Sequence, residues 1–220
     1  MRYGYFDDQK REYIITNPMT PMSWVNYLGT AEYCGIISNN ASGYAFYQSP
    51  KTSRLLRFRF NSIPMDRPGR YIYIRDNKDG DYWSASWQPV AKPLDKYKTI
   101  CRHGLGYTVF TSEYKGITSD YRVFVPIDQP IEFWEVELTN NSDEERDLSL
   151  FTYAEWCFWH MDQDLSNFQY ILYTCRMGYE QDIIDYSIRL WPNRTPKGFM
   201  ASTLPVVSFD TDRDEFIGLY

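Results

Sequence analysis

The residues best suited to chemistry lie in one stretch, 156–170, which reads WCFWHMDQDLSNFQY. It opens as the aromatic end of a strand and then breaks into a polar loop. That loop carries an imidazole at His160, carboxylates at Asp162 and Asp164, amides at Asn167 and Gln169, and a phenol at Tyr170. Flat apolar faces beside amides and carboxylates suit a sugar ring, which has apolar C–H faces and a rim of hydroxyls. A phosphate, a metal ion or a nucleic acid calls for a different set of groups.

Each candidate also has a plainer reading. Asp162 and Asp164 are spaced as a carboxylate pair of the kind that cleaves glycosidic bonds, or as contacts to a sugar hydroxyl. An Asp-x-Asp in a polar loop is also commonly solvated or capping. His160 is a base or hydrogen-bond donor, or a ring packed on Trp159. No serine or cysteine partner is in view for a nucleophilic triad. Asn167, Gln169 and Tyr170 suit directional binding of hydroxyls, or hydrogen bonding within the loop itself. No residue stands out as a catalytic centre.

The elements that position this stretch are strands. Period-2 alternation recurs at 54–60 (RLLRFRF), 71–75 (YIYIR), 121–126 (YRVFVP), 131–139 (IEFWEVELT), 147–156 (DLSLFTYAEW) and 184–191 (IDYSIRLW). The charges at Arg54, Arg57 and Arg59 read as those of one strand. Polar turn signals separate the runs, and residues 140–145 (NNSDEE) read as the loop of a hairpin between two strong strands. No helix of adequate length shows, although 211–216 can start a short one with Thr211 as cap. The expected fold is all-β, a large antiparallel β-sandwich. The chain ends on apolar residues, Phe216 to Tyr220, which reads as a sandwich truncated at its C-terminal end.

The composition narrows the partners. The 220 residues are long enough for one large domain with a sizeable core. Aromatics make up 18%, with 20 tyrosines, too many for the core alone, so some line a groove or interface. The net charge is −6 and no basic tract appears, which argues against nucleic acid. No apolar run is long enough for a membrane span and the start is no signal peptide, so the reading is a cytoplasmic chain with no membrane partner. Cys34, Cys101, Cys157 and Cys175 form no C-x-x-C pair, and His103 and His160 are far apart, so no metal site is expected. Cys157 reads as a small core residue. The stretch Arg102 to Thr108 (RHGLGYT) has two glycines at spacing two. With no following helix or lysine, a bulge or close backbone approach outweighs a phosphate loop, and His103 reads as a residue hydrogen-bonded within the fold.

Several of these segments together resemble a known family. They are residues 2–8 (RYGYFDD), 15–18 (ITNP), 24–29 (WVNYLG), 101–108 (CRHGLGYT) and 155–159 (EWCFW). In that order they are similar to the amino-terminal part of cellobiose phosphorylase and its relatives, the inverting β-glucoside phosphorylases of glycoside hydrolase family 94. The resemblance runs from Met1 to at least Asn167. It implies a galactose mutarotase-like super-sandwich over residues 1–220, followed in the parent protein by a helical linker and an (α/α)₆ barrel. The barrel holds the catalytic Asp and most phosphate ligands, so the resemblance implies no catalytic residue in this chain. The implied reaction is a glycosyl transfer. Phosphate attacks the anomeric carbon of a β-glucoside with inversion, giving α-glucose 1-phosphate, with inorganic phosphate as co-substrate and no cofactor.

The family resemblance also implies a homodimer in which the loop after Trp159 reaches the acceptor sugar at a barrel mouth. Asn167 and Gln169 fit the pattern Asn-[Phe/Tyr]-Gln-Arg of cellobiose phosphorylase. His160 stands where the family has an Asn after the tryptophan, and Tyr170 where the pattern has Arg. Laminaribiose and longer cellodextrins therefore stand beside cellobiose as substrates. Residues 182–192 (DIIDYSIRLWP) look more like laminaribiose phosphorylase. The sugar-contacting set is His160, Asp162, Asp164, Asn167, Gln169 and Tyr170. The alternative is a stand-alone carbohydrate-binding or dimerisation β-sandwich without catalysis.

Overall fold

The computed structural model describes residues 2–58, 69–166, 175–189 and 195–218. Within them the chain is built almost wholly of antiparallel strands. A six-stranded sheet runs β1 (Gly4–Asp7), β2 (Glu12–Ile15), β9 (Lys98–Gly104), β10 (Tyr107–Tyr114), β11 (Ile117–Phe124) and β12 (Phe133–Asn140). A five-stranded sheet runs β14 (Trp156–Trp159), β6 (Arg54–Leu56), β5 (Gly43–Tyr47), β4 (Tyr33–Ser38) and β3 (Val25–Gly29). Two three-stranded sheets hold the other described strands. One is β13 (Leu148–Ala154), β7 (Arg70–Asp76) and β8 (Tyr82–Ser84); the other is β15 (Cys175–Glu180), β16 (Ile183–Ile188) and β17 (Lys197–Ala201).

One continuous core joins the first three sheets, as a sandwich requires. Ile15, Cys101, Phe110 and Tyr121 enter it from the six-stranded sheet, Leu28, Ile37 and Leu56 from the five-stranded one, and Tyr71, Ile74 and Trp83 from the third. The buried positions alternate along β11, where Ile117, Ser119, Tyr121 and Val123 point inward. The period-2 reading of the sequence is therefore the register of the sheet.

Three expectations need correction. Residues 140–145 do not close a hairpin: β12 lies in the six-stranded sheet and β13 pairs with β7. Polar contacts hold this crossover to neighbouring turns. Asn141 N donates to Gly116 O at 2.8 Å, Arg146 bonds Asp76 at 2.7 Å and Lys115 O at 2.6 Å, and Lys78 pairs with Glu144 at 2.9 Å. Second, the run 147–156 is two strands, because Glu155 leaves the ladder. Its N–H goes to Gly69 O and its carbonyl accepts from Arg57 N. Third, Arg54 and Arg57 are not charges of one strand, because β6 ends at Leu56 and Arg57 lies beyond it. Both are buried, with Arg54 lying 4.0 Å from the centre of the Tyr44 ring. Arg59 lies outside the described residues.

Among the described residues helix is confined to short pieces, α1 (Met161–Ser166) and α2 (Arg213–Ile217). The cap of α2 is Asp212, whose side chain accepts from Asp214 N at 2.9 Å, and not Thr211. The Arg102–Thr108 stretch is the β9–β10 hairpin. Gly106 takes φ +86° in its turn, and the Tyr107 ring lies where a side chain on Gly104 would stand, 2.4 Å from an ideal Cβ. His103 is held as a structural residue, Nε2 to Trp24 O at 3.1 Å and Nδ1 to Thr108 Oγ1 at 3.0 Å.

Candidate functional site

The polar stretch after Trp159 is delivered by β14, which pairs with β6 through Trp156↔Leu56 and Trp159↔Arg54, with a bulge between. The Trp156 ring packs on Tyr186 at 4.4 Å, and Cys157 is buried and forms no disulfide. Trp159 then takes φ +88°, a conformation bulky residues seldom adopt. It redirects the chain out of the sheet and into α1, where the sequence reading had only loop. Met161 N donates to Lys51 O at 2.8 Å, and Asp164 N to His160 O at 3.0 Å.

The helix separates the two aspartates. Residues two apart on an α-helix point roughly 200° apart, so they do not share a face. Asp162 is exposed and pairs with Lys51 at 2.9 Å; this contact holds its carboxyl below the usual range. Asp164 is buried. Arg57 Nε lies 2.9 and 2.8 Å from its two oxygens, and Arg57 Nη2 also bonds Oδ1. No two-carboxylate catalytic pair is assembled here. Asp164 is not offered to a sugar in this arrangement; both of its oxygens are taken by Arg57, and it anchors the helix.

Arg57 also grips Glu155, with Nη1 2.8 Å from Oε1. Tyr153 OH donates to Glu155 Oε2 at 2.5 Å, and Arg213 Nε of α2 reaches Oε1 at 3.3 Å. Burial alone raises the Glu155 pKa, but the adjacent Arg57 and the Tyr153 hydroxyl outweigh it and hold the carboxyl below its usual range. Burial lowers the Arg57 pKa, yet its bonds to Asp164 and Glu155 leave it raised. The result is a sealed charge network under the first turn of α1.

His160 is half-buried, and its Nδ1 is sealed with no hydrogen-bond partner among the described residues. The same holds for Trp159 Nε1. Asn167, Gln169 and Tyr170 lie outside the described residues. The structure thus brings His160 and Asp162 to one polar rim and sinks Asp164 beneath it. Sequence reasoning missed Arg57 and Glu155. A signal was present: Arg54 and Arg57 are three residues apart, and an odd spacing puts them on opposite faces of a strand.

A second concavity, of about 720 Å³, opens at the end of the sandwich between Phe6, Tyr13, Trp24, Asn26, His103 and Leu105. Asn26 in its lining is already used, since its Nδ2 donates to Gly104 O and Tyr107 O, each at 2.9 Å. Among the described residues no group of three or more His, Cys, Asp or Glu is placed to hold a metal ion. None of the described helices is long and apolar enough to cross a membrane.

Comparison with known proteins adds identity to this geometry. Residues 11–220 match the family described as "Glycosyl hydrolase 94, supersandwich domain". The N,N'-diacetylchitobiose phosphorylase of Vibrio proteolyticus is 46% identical over 222 residues, which is 100% of this chain and 28% of that protein. The solabiose phosphorylase of Paenibacillus borealis is 29% identical over 99% of this chain and 28% of its own length. The 3-O-beta-D-glucopyranosyl-beta-D-glucuronide phosphorylase of the same organism is 39% identical over 68% of this chain and 18% of its own. The chain therefore spans little more than a quarter of the length of the first two.

Proposed function

The chain belongs to glycosyl hydrolase family 94, as a supersandwich domain, and from that premise we propose that it is the amino-terminal part of a disaccharide phosphorylase. The parent enzyme transfers a glycosyl unit from a β-linked disaccharide or short oligosaccharide to inorganic phosphate, with inversion, and runs the reaction in reverse as a synthesis. Phosphate is the co-substrate and no cofactor takes part. The chemical step belongs to residues outside this chain. Within it, the 160–170 segment helps form the acceptor sugar site, with His160, Asp162, Asn167, Gln169 and Tyr170 on the sugar side. We read the enzyme as a cytoplasmic homodimer in which this segment faces the partner's catalytic region.

The observation that carries this reading is the match to a disaccharide phosphorylase over the whole chain. The geometry supports it: the polar rim sits on a short helix fixed from beneath, and the Asp162–Asp164 pair is divided between solvent and Arg57.

Two substrate readings differ at the donor. The family resemblance favours a β-glucoside donor, and the acceptor-side departures at His160 and Tyr170 set laminaribiose and longer cellodextrins beside cellobiose. A second reading, N,N'-diacetylchitobiose, is favoured by the two phosphorylases of that name matching at 46% and 44%. The test uses the full-length enzyme with phosphate and each of these sugars in turn. A β-glucoside substrate yields α-glucose 1-phosphate, and N,N'-diacetylchitobiose yields α-N-acetylglucosamine 1-phosphate. Free sugars without any sugar phosphate, or no turnover at all, would overturn the proposal. The 220-residue chain alone is expected to form no sugar phosphate.

A further inference from the structure

We propose that Arg57 is a positioning residue for the acceptor sugar: it touches no reacting atom but sets the direction of α1 (Met161–Ser166), which carries His160 and Asp162 at its start. This rests on the phosphorylase reading above. The argument starts from α1, which has six residues. A helix that short has no stability of its own and takes its orientation from what it packs on. Here the anchor is Asp164, gripped through both oxygens by a guanidinium that is itself sealed from water.

The same guanidinium holds Glu155. Glu155 stands just before β14 and Asp164 just after the turn that follows it, so one side chain clamps both ends of the Trp156–Trp159 strand and its turn. Between the clamped points sits Trp159 at φ +88°. A non-glycine residue stays in that region only where its surroundings over-determine it. The clamp supplies that constraint. Arg213 and Phe216 extend the arrangement. Arg213 shares Glu155 Oε1, and the Phe216 ring stacks on Tyr153 at 5.3 Å, so α2 is fastened to the same node.

Only arginine fits this role. Its planar fork reaches two carboxylates at once, whereas a lysine ammonium is a single point charge. Loosening the clamp leaves the charges near their places but frees the angle of α1. A misplacement of about 1 Å in a positioning element is enough to cost an order of magnitude or more in use of the sugar it positions.

The experiment uses the full-length enzyme and two variants, Arg57→Lys and Asp164→Asn, assayed in the synthetic direction with varied acceptor and in phosphorolysis with varied phosphate. Expected is a rise of about ten-fold in KM for the acceptor in both variants, with KM for phosphate within about two-fold of wild type. The double variant should be no worse than either single one, because both remove the same clamp. An unchanged acceptor KM in folded variants overturns the inference. So does a fall in kcat alone that tracks the loss of folded protein, which is the signature of a merely structural residue. If Arg57→Lys fails to fold, Asp164→Asn decides, since it keeps the shape of the side chain; its failure to fold also counts against the inference. Absence of any sugar phosphate with the wild-type enzyme strikes the functional reading instead, and the inference falls with it.

Discussion

Arg57 and Asp164 face each other across a gap of 2.8–2.9 Å, 107 residues apart in the chain, with 3% and 2% of their side-chain surfaces exposed. Removing Arg57 leaves the buried Asp164 and Glu155 without the cation between them, and removing Asp164 leaves Arg57 only Glu155 of the two carboxylates; either loss costs more than the pair itself contributes. Arg57→Ala and Asp164→Ala are each expected to destabilise the protein by about 3–5 kcal/mol. Replacing Asp162, the exposed partner of Lys51, should shift the midpoint hardly at all. Urea denaturation of the three variants checks the contrast; equal effects at Asp162 and Asp164 would contradict the burial described here.

His103 gives the fold a pH dependence. Its burial pushes the pKa down to about 4, against a smaller opposing contribution from the Trp24 carbonyl. The neutral ring is satisfied as it stands: Nε2–H donates to Trp24 O, and Nδ1 accepts from the Thr108 hydroxyl. In the unfolded chain the ring titrates near 6.5. Between about pH 6.5 and 4 the unfolded state therefore holds more protons than the folded one, and stability falls as pH falls. The full contribution is present above 6.5, and the total loss down to pH 4 is about 3 kcal/mol. Asp76 behaves similarly lower down. Burial raises its pKa, but the Lys78 N–H, Arg146 and Lys115 hold it at about 2, so its contribution is lost only from below about pH 4 to pH 2. Denaturation curves at stepped pH, repeated for His103→Gln, should show the upper slope vanish in the variant.

Gly35 tests the packing around a buried charge pair. Arg70 and Glu132 meet at 2.7 Å inside the sandwich, and Trp134 Nε1 donates to Glu132 at 2.6 Å. A Cβ on Gly35 would stand 2.6 Å from the other oxygen of Glu132. That carboxylate is sealed and cannot swing into solvent, so the pair must shift. Gly35→Ala is expected to cost about 1–3 kcal/mol, read as a drop in the thermal midpoint. An unchanged midpoint would mean that the carboxylate moves aside freely.

The fold was largely legible because β-strands write their register into the sequence with period 2, as the inward-pointing Ile117, Ser119, Tyr121 and Val123 illustrate. What was not legible depended on partners distant in the chain. Whether residues 140–145 close a hairpin or cross between sheets is decided by Asp76, Lys78 and Lys115, which no local pattern names. The Asp162–Asp164 pair read as one polar loop, since a six-residue helix has too little length to show a 3.6 period. Its two carboxylates then divided between water and Arg57. The family resemblance, by contrast, was carried by long ordered motifs and needed no structure.

The acceptor loop itself yields the sharpest kinetic expectation. An amide both donates to and accepts from sugar hydroxyls, so Asn167 and Gln169 are the residues in 160–170 best suited to hold an acceptor by directed bonds. Losing such a bond costs about 1 kcal/mol, and roughly 1–3 where a buried partner is left unmatched. Gln169→Ala in the full-length enzyme should therefore weaken acceptor use by about ten-fold in synthesis. Tyr170 supplies a stacking face and one hydroxyl where cellobiose phosphorylase carries a fixed cation. Tyr170→Arg should accordingly shift preference towards glucose joined as cellobiose. Neither change should move the apparent affinity for phosphate, since in the proposed function phosphate sits on residues outside this chain. Initial rates with acceptor and phosphate varied independently separate the two constants. A changed phosphate constant with an unchanged acceptor constant would show that this loop serves the other side of the reaction.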